Sequence, residues 1–325
     1  FSSSGSLDTV SLKSRSNSAV INACNIPVLS EHQNNCNRVI GVQCSMQGNR
    51  PKQEDRALFV ADLSLARGVP PKHWPREKDE DLSKMSLACI FDGHSGELCS
   101  DYLSKHVVQQ LFASEGFLKC SMRDTLLRVF SNMDEEVCTA LRRHSDESGS
   151  TGTIVIVDGR TNELYLSNVG DSVCVLCKQG RAVPILAMHR PSDIREKERV
   201  EKAGGKVINN RVNGILAISR AFGDVQFKSL HGTSGLLCSI PDIVIEPITG
   251  SIEFAVIASD GLWDVMDPQT VVNFVRKKAS TRGDMTHVVQ DLVQEAYAQG
   301  SVDNVTVMIL VFNVPREGEK KVKDR

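Results

Sequence analysis

Seven short apolar runs constrain this chain most: Leu87–Phe91, Thr153–Val157, Glu163–Ser167, Val173–Cys177, Ala182–Ala187, Phe254–Ala258 and Val305–Phe312. Their lengths and β-branched content suit buried β-strands, and none approaches the ~20 apolar residues of a membrane-spanning helix. Helical spacing occupies other stretches. Leu126, Phe130, Met133, Val137 and Leu141 recur every three or four residues, which places them on one helix face. Asp267-Pro268 is a cap followed by a first-turn proline ahead of Val271, Phe274 and Val275. Asp193 with Glu196 has the form of a capping box, and Gly204-Gly205 closes that helix. Strand pairs joined by short turns alternate with helix pairs, which favours antiparallel sheets with helices packed outside, an α+β layered fold.

Composition sets the boundaries of that reading. With 41% hydrophobic and 24% charged residues among 325, the chain has a globular composition. Its formal net charge of −2 gives no reason to expect nucleic acid or an anionic membrane as main partner. Ten cysteines at irregular positions read as reduced thiols, so a cytoplasmic or nuclear location is expected. The numbering starts at Phe1, which leaves an upstream targeting segment open. Residues 1–37 form a Ser-rich arm, residues 38–314 the organised domain, and residues 315–325 a charged tail. Within the domain, 64–84 carries Pro70, Pro71 and Pro75 and then the charged run from Arg76 to Asp81, the pattern of an exposed insertion loop.

Chemistry is signalled by where acids sit relative to strands. Asp92 ends the run Leu87–Phe91, Asp171 follows the strand at 163, and Asp260 ends the run Phe254–Ala258, while Asp303 stands just before Val305–Phe312. In an antiparallel sheet the end of one strand lies beside the start of its neighbour, so all four carboxylates can line one edge. Asp-Gly pairs are also hairpin turns. Asp158-Gly159 reads that way because strands flank it on both sides, whereas helix-like segments follow Asp92-Gly93 and Asp260-Gly261. Two carboxylates ~5 Å apart repel by roughly 3 kcal/mol at an effective dielectric of about 20. A cluster of four therefore needs protons or a cation, and hard oxygen ligands without His/Cys spacing point to magnesium or manganese rather than zinc.

A series of motifs then carries a resemblance. Arg50 with Gln53-Glu54-Asp55, Phe91-Asp92-Gly93-His94-Ser95-Gly96, Gly149-Ser150-Thr151-Gly152 and Asn168-Val169-Gly170-Asp171-Ser172 occur in that order. The stretch from Glu198 to Gly205, Arg211-Val212-Asn213-Gly214, Ser219-Arg220-Ala221-Phe222-Gly223-Asp224, Ser259-Asp260-Gly261-Leu262-Trp263-Asp264-Val265 and Asp303-Asn304-Val305-Thr306 follow. Together they resemble the metal-dependent protein serine/threonine phosphatases, the protein phosphatase 2C family, over roughly Arg38 to Val314. The resemblance implies a four-layer αββα sandwich, two antiparallel sheets flanked by antiparallel helix pairs, with a metal site at one edge. It implies a hydrolase acting on phosphoserine and phosphothreonine in phosphorylated protein substrates, by attack of metal-activated water on phosphorus; a monomer is expected. Two Mg2+ or Mn2+ ions, with a weaker third, are implied. Asp92 would bridge the two, the Gly93 carbonyl would serve one mostly through water, and Asp260 and Asp303 would complete the other. Glu54 and Asp55 match the acidic pair that supports the metals and their waters. Asp171 matches the position that holds the third metal beside Asp260, and Asp264 one that supports metal water. Arg50 matches the phosphate-binding arginine, whose planar fork holds two oxygens at once. His94 matches the general acid, and Arg211 is a substrate-binding candidate in the flap.

Departures and rivals complete the reading. Met188-His189-Arg190-Pro191 stands where the family usually begins with Asp, which questions how the flap is anchored, and Asn49 replaces a common aromatic. Gly149-Ser150-Thr151-Gly152 lacks the Lys of a nucleotide loop and reads as a tight turn, and Asp224 reads as structural. Cys44 and Arg50 have the C-x5-R spacing of a thiolate phosphatase, but Glu54 and Asp55 follow closely, acids placed to repel a thiolate. Cys174 and Cys177 sit in one strand whose alternation separates their thiols. A non-catalytic phosphatase-like scaffold is the other alternative, disfavoured because Asp92, Asp260, Asp303, Arg50 and His94 are all present.

Overall fold

The computed structural model describes residues 39–66, 82–114, 117–118, 120–228 and 235–312, together with the backbone of the short strand Ile21–Asn22. The Ser-rich arm apart from that strand, most of the 64–84 insertion and the charged tail lie outside the described residues. Two antiparallel sheets form the centre. One runs Ile21–Asn22, Val39–Met46, Val305–Phe312, Ile252–Ala258, Val173–Lys178 and Arg181–Pro184; the other runs Asp242–Pro247, Glu163–Val169, Gly152–Asp158, Met85–Phe91 and Arg56–Val60.

Alternation along each strand divides the core into layers. Ala88 and Ile90 meet Cys174, Leu176, Ala255, Ile257, Met308 and Leu310 between the sheets. Their neighbours Leu87, Cys89 and Phe91 face the other way, onto the helices Leu98–Ala113 and Met122–His144. Val175, Cys177, Val256, Val307 and Ile309 likewise face Pro268–Arg282 and Met285–Ala298. The result is the expected four-layer αββα sandwich, each sheet buried on both faces. Leu126, Phe130, Met133, Val137 and Leu141 all lie on the buried face of Met122–His144, as their spacing requires.

Caps explain several boundaries. The Asp267 side chain accepts from the amides of Gln269 and Thr270, with Pro268 in the first turn. Asp193 does the same for Arg195 and Glu196 at the start of Ile194–Lys202. Glu196 does not complete the capping box; it turns inward to Ser219, Arg199 and Arg220. The run at 182–187 pairs only as Arg181–Pro184, since Pro184 offers no amide to extend the ladder. The segment read as a turn at 149–152 is extended instead. Gly149–Ser150 pairs with Gly93–His94 on one side and with Phe222–Gly223 on the other.

Register sets up the site. Arg56 pairs with Phe91, so Asp55 and Asp92 leave the same end of the five-stranded sheet. Ala258 pairs with both Val307 and Val173, so the segments at Asp260, Asp303 and Asp171 meet at one end of the six-stranded sheet.

Candidate active site

Five carboxylates, Asp55, Asp92, Asp171, Asp260 and Asp303, interact electrostatically at this shared edge. Asp55 and Asp171 are buried, while Asp92, Asp260 and Asp303 are partly exposed. Backbone contacts hold the acids in place. Asp92 donates its amide to the Thr151 hydroxyl at 3.1 Å, and its carbonyl accepts from the Thr151 amide at 2.9 Å. Ser259 donates its hydroxyl to Asp55 Oδ2 at 3.0 Å, and its own amide bonds Thr306 across the strand ends. Gly261 is required at the turn after Asp260, because a Cβ there would lie 2.1 Å from the Asn304 carbonyl oxygen.

Burial and mutual repulsion act in the same direction. Desolvation pushes Asp55 up to about 6, against hydrogen bonds from Thr306 and Ser259. Asp92 and Asp260 are held well above the ordinary carboxylate range, first by burial and then by the surrounding acids. Burial also raises Asp171, with Arg190 opposing it.

Among the described residues, Arg50 and Arg190 pair with the cluster. Arg50 donates to Asp303 Oδ2 at 2.6 Å, and its side chain is 52% exposed at the rim. Arg190 spans Asp171 at 3.1 Å and Asp264 at 2.6 Å. In this arrangement no three Asp, Glu, His or Cys side chains among the described residues converge into a metal cage. The donor set nevertheless fits a hard divalent cation: it is all oxygen, and the buried Asp55 Oδ1 has no hydrogen-bond partner among the described residues.

Several contributors escaped the sequence reading. Asn304 donates to the carbonyls of Gln47 at 2.8 Å and Lys52 at 2.9 Å and accepts the Glu54 amide at 2.8 Å. One side chain thus fastens the loop that carries Arg50, Glu54 and Asp55. The Glu54 carbonyl accepts from Ser100, and Gly93 must be glycine because a Cβ would lie 2.5 Å from that oxygen. His94 turns Nε2 to the Asp224 carboxylate at 2.9 Å. Burial opposes a charged ring at His94, but the charge and hydrogen bond of Asp224 outweigh it and hold the imidazole above its ordinary range. Arg211 lies in the hairpin formed by Val207–Ile208 and Arg211–Val212, where it donates to the Ile215 carbonyl at 2.6 Å. Among the described residues it makes no contact with the carboxylates. The flap is anchored without an acid at 188. Met188 packs toward the helices of the six-stranded sheet, and His189 bonds Gly170 and Ser219 through its backbone.

The family model described as Protein phosphatase 2C matches residues 41–305. The chain belongs to the protein phosphatase 2C family. Protein phosphatase 2C homolog 3 of Schizosaccharomyces pombe is 32% identical over 92% of this chain and 72% of its own length. Protein phosphatase 1B of Mus musculus is 32% identical over 86% and 72%. Among solved structures, a Caenorhabditis elegans sex-determining protein superposes with a TM-score of 0.75 at 28% identity, covering 89% of this chain and 67% of that one. Serine-threonine phosphatase 2C from Toxoplasma gondii has a TM-score of 0.70 over 87% of this chain and 96% of its own; at 20% identity it shows the shared fold. The chain is therefore a serine/threonine phosphatase, a hydrolase.

Membership in this phosphatase family bears on the cysteine rival. Cys44 is 1% exposed and faces the helix-side core of the six-stranded sheet, away from the acidic edge. A thiolate nucleophile needs an accessible, electropositive setting. Cys44→Ala is expected to keep phosphoserine peptide turnover within about twofold of wild type, since a thiol buried in the helix-side core has no access to the acidic edge. Steady-state kinetics on folded protein check this; a thousand-fold loss would reinstate the thiolate.

Proposed function

We propose that this phosphatase hydrolyses phosphoserine and phosphothreonine in proteins with two Mg2+ or Mn2+ ions held at the acidic edge. The observation that carries the reading is the gathering of Asp55, Asp171, Asp260 and Asp303 about Asp92, with the buried Asp55 Oδ1 left without a hydrogen bond among the described residues. Asp92, the Gly93 carbonyl, Asp260 and Asp303 would hold the two ions, with Asp55 and Glu54 in support and Asp171 and Asp264 serving a weaker third. When bound, the cations neutralise the clustered charge and activate water as nucleophile.

The remaining work falls to side chains of this chain. Arg50 leaves Asp303 and turns its fork to two phosphate oxygens; its exposure at the rim supports that swing. As the P–O bond to the seryl or threonyl oxygen breaks, His94 gives that oxygen a proton, so serine or threonine leaves as a neutral alcohol with inorganic phosphate as the other product. Arg211, exposed on the flap hairpin, would meet the substrate protein rather than the phosphate.

Two measurements test this. Phosphate release from a phosphoserine peptide is expected to vanish in EDTA and return with added magnesium or manganese; activity that survives thorough chelation would sink the metal mechanism. Binding should also stabilise the fold independently of turnover, by about 2.7 kcal/mol per site at a hundredfold excess over Kd. A melting temperature unmoved by manganese would count against the acids as a cation site.

A further inference from the structure

We infer that Asp224 is the positioning residue for His94, fixing the ring as the Nε2–H tautomer so that Nδ1 is the atom that delivers the proton. Both carboxylate oxygens of Asp224 lie 2.9 Å from Nε2, and the Asp224 side chain is 1% exposed against 26% for His94. A carboxylate only accepts, so Nε2 carries the hydrogen and donates it. Nδ1 is then the ring nitrogen left for exchange with a substrate oxygen.

The surroundings fix this pair from both sides. His94 lies in the short strand Gly93–His94, which pairs with Gly149–Ser150, which in turn pairs with Phe222–Gly223 just before Asp224. Gly149 closes the space over the contact: a Cβ there would lie 2.1 Å from Asp224 Oδ2 and 2.4 Å from His94 Nε2. Asp224 adopts the left-handed backbone, φ 49° and ψ 49°, and its amide donates to the Ser148 carbonyl at 3.1 Å. A non-glycine residue pays for that conformation, and the surrounding contacts hold it there. Asp134, on the helix Met122–His144, accepts the Gly223 amide at 3.0 Å and pairs with Lys228 at 2.8 Å, while Lys228 also donates to the Ala221 carbonyl at 2.6 Å. The segment 221–228 is thereby bolted to a helix on either side of Asp224.

The proposed transfer is balanced. The imidazolium gives its Nδ1 proton to the oxygen whose bond to phosphorus is breaking; that oxygen takes the bonding electron pair and becomes the alcohol. The ring is left neutral, with its Nε2–H still donated to Asp224. Without the carboxylate, either ring nitrogen can carry the hydrogen and the ring can rotate, so the donor is no longer held toward the leaving group.

This inference rests on His94 acting as the general acid, and the experiment separates the two. Nitrogen-15 spectra of the metal-loaded wild-type imidazoles, assigned with His94→Ala, report the tautomer directly. The Nε2–H form is expected at His94 when the ring is neutral, and an Nδ1–H form overturns the proposal whatever the kinetics of the variants. In parallel, Asp224→Asn, His94→Ala and the double variant are assayed on a phosphoserine peptide and on nitrophenyl phosphate. Asp224→Asn is expected to lose at least about tenfold on the peptide, up to the 10²–10⁴-fold that general acid catalysis supplies, and to change little on nitrophenyl phosphate. The double variant should fall no further than His94→Ala, because both substitutions remove one function. Additive losses, or equal losses on both substrates for Asp224→Asn, overturn the proposal. A peptide-selective loss in His94→Ala with none in Asp224→Asn overturns it while the acid role stands. Equal losses in His94→Ala remove the acid role and the proposal with it.

Discussion

Asp260→Asn is expected to lower phosphoserine peptide turnover by about a thousandfold or more, about 4 kcal/mol of lost transition-state stabilisation. The substitution keeps the shape of the side chain and removes one charge from a cluster in which Asp171, Asp303, Asp264 and Asp55 all act on it. Its two consequences have opposite signs. With a chelator present, losing one of several repelling carboxylates should leave the protein folded and raise its melting temperature near neutral pH. With manganese present, the stabilisation gained on binding should shrink, because a ligand has lost its charge. Calorimetric metal titration, thermal melts with and without EDTA, and peptide kinetics check the three parts. Wild-type metal affinity together with wild-type turnover would remove Asp260 from the site.

His94→Ala is expected to separate substrates by leaving group. A serine alkoxide leaves phosphorus poorly unless protonated, whereas nitrophenolate is already a good leaving group. The peptide reaction should therefore lose about 10²–10⁴-fold while nitrophenyl phosphate hydrolysis is far less affected. The comparison must use chemistry-limited rates, since slow product release hides differences in the chemical step. Similar losses on both substrates would keep His94 in the site and strip it of the acid role.

Central strands were legible because burial on both faces leaves continuous apolar runs: Val305–Phe312 was read to its ends, and Met85–Phe91 and Gly152–Asp158 within two residues. Val39–Met46 was not read, because Gly41, Gln43 and Ser45 interrupt its apolar residues. Arg56–Val60 and Asp242–Pro247 are edge strands with partly exposed side chains; polar residues blur the second, and the first offers only four apolar residues after Arg56. Helices Leu98–Ala113 and Met285–Ala298 lack a proline or box-like start signal.

In the site, Asp92, Asp171, Asp260 and Asp303 could be found from their places at strand ends, and the register brings those ends together. The partners that orient them could not. Asp224 meets His94 across 130 residues, and Asn304 reaches Glu54 across 250. No local period or cap links such positions; only the completed ladders do. Asp224 illustrates the gap, since a loop aspartate after glycine looks the same in sequence whether it caps a turn or holds an imidazole.

Val305–Phe312 lies between Val39–Met46 and Ile252–Ala258, bonded to both, although it is the last strand of the described chain. A ribosome delivers its future neighbours long before the strand that joins them. Until it arrives, Val39–Met46 and Ile252–Ala258 each expose an unpaired ladder edge, and Asp303, at its leading end, has no place beside Asp260. Closure of the sheet and the arrival of Asp303 beside Asp260 thus depend on one strand, and a chain lacking it is expected to release no phosphate from a phosphoserine peptide.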